Sequence, residues 1–329
     1  MYDIITFGSA TSDIFLRLKK ESYQILRKKK KLLCFPLGAK IFIDDLKIAS
    51  GGGATNTAAT FAKQGLRTAV CTKVGQDKRG EALIEELKKL NVETQFIKKD
   101  KKYSTAHSII LSSPPEDRTV LIYKGACHFM ESSDIAWRKL KKVKWFYLAP
   151  LTGKSAQLFG PLVEFAKKNN IKIAANPGNS QLNLNRKILK PILSQIDILI
   201  LNIEEASLLA KAEEEIKIIK KLSSLTKGII VITKQKKGSI VFDGKYIYKA
   251  GIAAPHILPL EKTGAGDAYA AGFLTGFFKK NDIKYAIQLA TANATSCILE
   301  IGAKKGLLAE GQWEQQLGPR VRVQIKRCK

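Results

Sequence analysis

One short stretch late in the sequence, residues 261–273, constrains this chain more than any other. It reads Glu-Lys-Thr-Gly-Ala-Gly-Asp and continues as a run of small and apolar residues typical of a helix. Gly264 and Gly266 let the backbone approach a ligand closely, and the start of a helix presents unpaired N–H groups with a partial positive charge. The stretch therefore predicts an anion-binding site suited to a transferring phosphoryl group.

Asp267 directly follows the second glycine and falls in the first turn of the predicted helix. A carboxylate beside a bound anion is well placed to accept a proton from a substrate hydroxyl. Short glycine motifs are weak evidence by themselves, and the alternative is a tight loop whose aspartate only caps the helix. The stretch alone leaves both interpretations open.

A second glycine-rich turn, residues 50–59, opens another predicted helix with the sequence Ser-Gly-Gly-Gly-Ala-Thr-Asn-Thr-Ala-Ala. In this order the two stretches resemble the two signatures of the ribokinase family, the PfkB-type carbohydrate kinases. The first resembles the sugar-binding turn Gly-Gly-x-x-x-Asn, and the second resembles the anion hole and catalytic base in Thr-Gly-Ala-Gly-Asp. Residues 302–306 resemble the closing Gly-Ala turn of the family. The resemblance extends from about Asp3 to Leu308.

The resemblance implies roles for individual residues of this chain. The catalytic residues would be Gly264, Ala265, Gly266 and Asp267; the acceptor would be bound by Asp13, Gly51, Gly52 and Asn56; the nucleotide would be bound by Asn202, Thr233, Gly238 and Asn293; and the metal would be held by Glu205. Taken without the resemblance, Asp13 is also compatible with a solvated turn residue after the first strand.

Asn202 and Glu205 follow a predicted buried strand and resemble the Asn-x-x-Glu motif of the family. One helical turn separates them, so their side chains face the same way. The resemblance implies that they order magnesium, its water and the phosphates of ATP, and magnesium prefers such oxygen ligands. From the residues alone, a helix start with an asparagine cap is the alternative.

Two positions depart from the family pattern. Gln235 stands where many relatives have a glycine that contacts the nucleotide phosphates, although Thr233 and Gly238 match. Glu261 stands where several relatives have an acid that helps to hold a monovalent cation, and Lys262 follows it. ATP and magnesium are therefore implied as cofactors, while activation by potassium stays open.

The alternation of predicted strands and helices indicates a three-layer α/β/α sandwich with a mostly parallel sheet. We expect one kinase domain over residues 1–329, with two β insertions at about 14–49 and 96–124 that form a small β-sheet lid. Such small sheets are unstable alone, so we expect the lid to pair with the lid of a second chain in a homodimer.

Composition excludes several other classes of protein. Of the 329 residues 45% are hydrophobic, which suffices for a full core, and no run of about 18 apolar residues predicts a membrane span. The first residues lack the pattern of a signal peptide. Five scattered cysteines without a Cys-x-x-Cys motif indicate buried, reduced thiols. We therefore expect a cytoplasmic protein.

The net charge of +27 raises the question of a nucleic-acid partner. The excess of lysine and arginine is spread along the whole chain, and no motif of a nucleic-acid-binding fold accompanies it. We expect a solvated basic surface and no specific nucleic-acid binding. Residues 153–155, Gly-Lys-Ser, resemble the end of a Walker A loop, but Leu148 stands where that loop needs glycine.

The predicted activity is transfer of the γ-phosphate of ATP to a hydroxyl of a sugar or nucleoside. The acceptor stays open among ribose-like sugars, hexoses, sugar acids and nucleosides. Two classes without this activity are the alternatives: a non-catalytic sugar- or nucleotide-binding regulatory protein on the same fold, and a nucleic-acid-binding protein.

Overall fold

The computed structural model of the protein describes residues 1–27, 30–112, 118–256, 258–316 and 321–328. Within these residues the strands are β1 Tyr2–Phe7, β2 Thr11–Leu18, β3 Gln24–Arg27, β4 Lys31–Cys34, β5 Ile43–Gly51, β6 Thr68–Gly75, β7 Ile97–Asp100, β8 Ala106–Ser112, β9 Thr119–Tyr123, β10 Val143–Leu148, β11 Lys172–Ala175, β12 Ile198–Asn202, β13 Ile229–Thr233, β14 Ser239–Phe242, β15 Tyr246–Ala250 and β16 Val323–Arg327. The α-helices are α1 Gly53–Lys63, α2 Lys78–Lys89, α3 Phe159–Lys168, α4 Asn179–Leu182, α5 Arg186–Leu193, α6 Ile203–Ala210, α7 Glu215–Ser223, α8 Ala265–Lys280, α9 Ile283–Cys297 and α10 Gln312–Gln316.

A large sheet forms the centre of the fold, with the strand order β16-β15-β14-β13-β12-β11-β10-β1-β6-β7. The strands from β7 to β13 are parallel to their neighbours, and the last three are antiparallel. Strands such as β6 and β12 are buried along nearly their whole length because helices cover both faces of a parallel sheet. The predicted three-layer α/β/α fold is confirmed.

Two hydrophobic clusters pack against the opposite faces of this sheet. One joins the sheet to α3, α5, α6 and α7, and includes Phe146, Leu162 and Leu222. The other joins the sheet to α1, α8 and α9, and includes Phe61, Phe273 and Ile287. In both clusters apolar area removed from water supplies the main driving force for folding. Packing of α8 against the sheet in the second cluster fixes the orientation of this helix and therefore of its N-terminus.

A small sheet lies beside the large one, with the strand order β5-β2-β8-β9. Strand β2 runs parallel to β8, and the outer pairs are antiparallel. One cross-strand row contains Asp13 and Ser108, and the next row, on the opposite face, contains Ile48 and Leu121. The face that carries Ile48 and Leu121 is apolar and exposed, and we call it the outer lid face.

Several local predictions need correction or lie outside the description. The apolar periodicity of the sequence predicts an amphipathic helix at 156–168, but the α-helix begins only at Phe159. Residues 153–158 form a 3-10 segment instead, in which the Ser155 hydroxyl donates to the carbonyl of Cys127. The chain after Leu308 gave no prediction, yet β16 pairs with β15 at the sheet edge. Most of the predicted turn at 114–118, and Lys28 and Lys29 of the lysine run, lie outside the described residues.

In the part of the chain that the structure covers, no helix has the length and apolar character needed to cross a bilayer.

Phe273 tests how strongly the core supports α8, since its side chain is fully buried against the central sheet. We expect Phe273→Ala to lower the free energy of unfolding by about 3–5 kcal/mol, because it removes buried area and leaves a cavity. The control is Ile325→Ala on β16, where the side chain is 53% exposed and the expected change is within about 0.5 kcal/mol. Urea denaturation measures both; equal effects would contradict the packing described.

Candidate active site

The two glycine-rich motifs meet at one point of the fold. The amide nitrogen Nδ2 of Asn56, on α1, donates a hydrogen bond of 2.8 Å to Oδ2 of Asp267, on α8. The junction lies at the carboxyl ends of β1 and β10, where α/β sheets bind ligands: the Ala54 N–H binds the carbonyl of Ser9, and a Cβ on Gly53 would lie 3.0 Å from Ala149. The other amide atom of Asn56, Oδ1, is buried and has no partner among the described residues. This unsatisfied acceptor marks the junction of the motifs as a place that a ligand donor would complete.

The N-terminus of α8 has the geometry of an anion hole. Gly264 has a φ of +82°, and a Cβ on it would lie 2.3 Å from that of Ala303, so only glycine fits. The N–H of Ala265 makes one long bond of 3.4 Å to Lys262. For the N–H groups of Gly266 and Asp267, the described parts of the chain provide no acceptor. The helix start therefore offers unpaired donors to an anion.

The surroundings of the Asp267 carboxyl group change its pKa in opposite directions. Burial raises its pKa above the usual aspartate value, while the hydrogen bond from Asn56 and the charge of Lys304 lower it. A carboxylate whose pKa lies nearer to neutrality is a better general base than an ordinary surface aspartate. The position and the acidity of Asp267 both suit proton abstraction next to the anion hole.

The acceptor side of the site is built by Asp13 on β2 and by the glycine turn before α1. Ser108 on β8 donates a hydrogen bond to Asp13, and a Cβ on Gly51 would lie 1.9 Å from Oδ2 of Asp13. Gly52 has a φ of +97° and lies against the carbonyl of Ser9. Burial raises the pKa of Asp13. The structure thus brings Asp13, both glycines and Asn56 to the same side of Asp267.

Asn202 and Glu205 form a reciprocal helix cap at the start of α6. Oε2 of Glu205 accepts the N–H of Asn202 at 2.9 Å, and Oδ1 of Asn202 accepts the N–H of Glu205 at 2.8 Å. Burial is the main cause that raises the pKa of Glu205. Asn202 pairs in register with Thr233, so these residues lie together at the ends of β12 and β13. The structure therefore contains the helix cap, and the side chain of Asn176 also lies close enough to Glu205 to oppose the rise of its pKa.

Tyr147 connects the Glu205 side of the cleft with Asp267. Its side chain is fully buried on β10, and its hydroxyl has no partner in the described regions. Burial, followed by the charges of Asp267 and Glu205, raises its pKa well above the usual tyrosine value. The carboxylates of Asp267 and Glu205 are therefore both near enough to the Tyr147 hydroxyl to act on it electrostatically.

The donor set at Glu205 fits a magnesium ion that binds mainly to phosphates and water. Nowhere in the described ranges do three or more His, Cys, Asp or Glu side chains gather around one point. Magnesium commonly uses one or two carboxylates and keeps several waters in nucleotide sites, so a protein cage is not required. Glu205 provides one such carboxylate.

The contacts of the Glu261 carboxylate do not fit a bound potassium ion. Its side chain is buried, and Oε1 accepts the N–H groups of Lys262 and Thr263 and the hydroxyl of Thr263. The guanidinium of Arg118 lies 3.2 Å from the same oxygen. The charge of Glu261 is therefore already balanced by a side chain of the small sheet.

Two predicted nucleotide residues have structural roles here. A Cβ on Gly238 would lie 2.0 Å from the carbonyl of Ala250, so strand packing alone requires the glycine. Asn293 is fully buried; its Nδ2 donates to the carbonyl of Ala268, and its Oδ1 accepts the N–H of Leu308. The structure does not bring Asn293 to the cleft, because both ends of its amide hold α9 to neighbouring segments.

Lys304 is the residue at this site that the sequence analysis missed. It lies in the turn after α9, is only 5% exposed, and its ammonium donates a hydrogen bond to the hydroxyl of Ser50. The sequence gives one indication of its role: Lys304 lies within residues 302–306, which resemble the closing turn of the family. Nothing in the local sequence predicts that its side chain is buried.

Comparison with known proteins agrees with this geometry. The chain is 22% identical over 268 residues to an ATP-dependent 6-phosphofructokinase of Thermoanaerobacterium thermosaccharolyticum, covering 79% of this chain and 82% of that protein. It is 25% identical over 265 residues to a nucleoside kinase of Methanothermobacter thermautotrophicus, covering 80% and 82%. The solved structure of Arabidopsis thaliana ribokinase complexed with ribose and ATP superposes with a TM-score of 0.78 at 20% identity, covering 96% and 98%.

The family model described as pfkB family carbohydrate kinase matches residues 35–309, which include the acceptor turn, the Asn-x-x-Glu segment and the anion hole. These residues are most of the chain, and the fold around them is that of the ribokinase structures. The chain therefore belongs to the pfkB family of carbohydrate kinases.

Proposed function

We propose that this kinase transfers the γ-phosphate of ATP to a hydroxyl of a sugar or nucleoside bound beside Asp13 and Asn56. The hydrogen bond between Asn56 and Asp267 carries this proposal, because it holds the base at the boundary between the acceptor turn and the anion hole. The related kinases named above act on a sugar phosphate, a nucleoside or ribose, so the family alone leaves the acceptor open.

In the proposed mechanism, Asp267 accepts the proton of the acceptor hydroxyl as that oxygen attacks the γ-phosphate. The N–H groups of Gly266 and Asp267, with that of Ala265, bind the charge that develops on the transferring phosphoryl group. Asp13 accepts hydrogen bonds from acceptor hydroxyls and fixes their orientation. Positioning and electrostatic stabilisation supply most of the rate enhancement in such transfers.

Glu205 and Asn202 would hold magnesium with its waters, and Thr233 would contact a phosphate of the nucleotide. Magnesium supplies neutralisation of phosphate charge when it is bound. Glu205 contributes a carboxylate that the reciprocal cap with Asn202 keeps in one orientation. Asn202 and Thr233 stand at adjacent strand ends, which suits joint contact with one polyphosphate.

A coupled assay of ADP release tests the proposed function across ribose-like sugars, hexoses, sugar phosphates, sugar acids and nucleosides with MgATP. We expect ADP release that depends on one class of acceptor. Ligand binding without turnover in every class would favour the non-catalytic alternative instead.

Asp267→Asn tests the assignment of the base. The asparagine keeps the size of the side chain but cannot accept the proton, so we expect turnover to fall about 100- to 10,000-fold. Affinity for ATP should change far less, because the N–H groups of α8 remain. Near-normal turnover of the folded variant would refute the assignment.

Thermal melting of Asp267→Asn against pH supplies the structural control. Because the pKa of Asp267 is raised in the folded protein, its contribution to stability is greatest at low pH and is lost as pH rises through that pKa. The neutral asparagine does not suffer this loss. We expect the Tm of the variant to equal or exceed that of wild type at pH 7, with the difference shrinking toward pH 4.

We also propose that residues 1–329 act as one kinase domain whose insertions, about 14–49 and 96–124, form the lid and pair two copies of the chain. The outer lid face supports this proposal: Ile48 is 68% and Leu121 53% exposed, and the half-buried Ile14 and Ile109 lie in the same row. Contiguous exposed apolar surface of this kind marks interaction sites.

Light scattering tests the dimer. Wild type should have twice the chain mass of 36.4 kDa. Ile48→Asp should give a monomer, because a charge on the outer lid face would be buried without a partner. Ile188→Asp on α5, where the side chain is 57% exposed, is the matched control and should stay dimeric. A monomeric wild type at micromolar concentration would contradict the proposal.

The cellular setting is proposed on similar grounds. All five cysteines are free thiols, which supports a reducing compartment such as the cytoplasm. The dispersed basic charge supports weak, salt-sensitive contact with nucleic acid and no specific binding of it.

A further inference from the structure

Lys304 lies in a turn that fills the gap between the acceptor turn and the anion hole. Ala303 packs against Gly264, where a Cβ would approach it to 2.3 Å, and Ala49 lies 2.9 Å from the position of a Cβ on Gly302. The Lys304 ammonium reaches Ser50, the residue before the acceptor glycines. The side chain therefore bridges the two halves of the site.

The ammonium of Lys304 has more hydrogen-bonding capacity than the protein uses. It carries three N–H donors, and in the described part of the chain Ser50 alone accepts from it, while Glu86, Asp13 and Asp267 act on it through charge without a hydrogen bond. A charge buried in this way is unfavourable unless other charges compensate it. Burial lowers its pKa to about 8, while the carboxylates of Glu86, Asp13 and Asp267 oppose that change.

We propose that Lys304 is a positioning residue of this kinase, whose buried ammonium keeps the acceptor-side carboxylate Asp13 and the base Asp267 ionised at the same time. The proposal rests on the proposed function, since it assigns Lys304 to the phosphoryl transfer at Asp267. Burial disfavours the charged form of each carboxylate, and the charge of Lys304 acts in the opposite direction on both.

The groups around Lys304 and Asp267 determine in which direction the charge of Lys304 changes the pKa of Asp267. Around Lys304 these are Asp13 on β2, Ser50 on β5, Lys63 on α1, Glu86 on α2, Asp267 on α8 and Cys297 on α9; around Asp267 they are Asn56, Tyr147, Cys297 and Lys304. Below pH 8 the ammonium is charged and lowers the pKa of Asp267. Without that charge the base would remain protonated up to a higher pH.

Carbon NMR of protein labelled with [13Cγ]aspartate tests this coupling without any turnover. The Asp267 signal is identified by its loss in Asp267→Asn, and its titration midpoint is compared in wild type, Lys304→Met and Lys305→Met. Methionine keeps the length of the side chain, and Lys305 is an exposed neighbour on the same turn. We expect the midpoint to rise by about one pH unit or more in Lys304→Met alone. An unchanged midpoint would overturn the proposal.

The reciprocal measurement keeps the proposal falsifiable if Lys304→Met does not fold. In protein labelled with [13Cε]lysine, we expect the Lys304 signal to titrate near pH 8, because burial lowers its pKa to about 8. Coupling free energies are mutual, so Asp267→Asn and Asp13→Asn should each lower that midpoint. A midpoint that neither variant moves would show that Lys304 does not sense the two carboxylates, and would refute the proposal.

The role in the reaction is tested by the pH profile of kcat/KM with MgATP and an acceptor identified by ADP release. In Lys304→Met the acidic limb of this profile should move to higher pH by the same amount as the titration midpoint of Asp267. The profile of Lys305→Met should match that of wild type. If the titration midpoint of Asp267 shifts in Lys304→Met but the acidic limb of the kcat/KM profile does not, the positioning role is overturned. Absence of turnover with every acceptor in wild type would instead refute the proposed function, and the NMR titrations would still report the coupling.

Discussion

The site depends on the meeting of two helix N-termini at one edge of the central sheet. Each end carries partial positive charge, so α1 and α8 repel each other unless negative groups lie between them. Asp267 supplies such a group, and Asn56 binds it directly across the junction. The same partial charges that stabilise this carboxylate are suited to a bound anion. The fold and the proposed anion site therefore depend on the same electrostatic feature.

The sequence predicts the central sheet far better than the small one. The sequence predicts strands at 143–148 and 229–233, which are the observed bounds of β10 and β13, because strands covered on both faces are rich in apolar residues. Strand β2 has a mixed burial pattern, and the first six residues of β5 are all exposed, so neither strand shows the apolar signal of the central sheet. Strand β16 could not be predicted, because its pairing with β15 depends on the tertiary position of the sheet edge.

At the site, sequence reasoning identified the residues whose local motif requires them. The two glycine turns placed Asn56 and Asp267 correctly at helix starts, and their hydrogen bond joins positions 211 residues apart. Asn293 shows the limit of such reasoning, because a polar residue in an apolar helix can serve the core alone. Lys304 shows the opposite limit: its burial depends on long-range packing that no local pattern encodes.

The charges of the site are balanced by residues that lie outside both motifs. The carboxylate of Glu261 is paired with Arg118 from the small sheet, and those of Asp13 and Asp267 are influenced by Lys304 from the closing turn. Removing one partner of a buried charge pair leaves the other uncompensated, which is costly. The small sheet and the closing turn are thereby tied energetically to the anion hole. Arg118 and Lys304, which lie outside both motifs, thus determine the charge balance around the carboxylates of Glu261, Asp13 and Asp267.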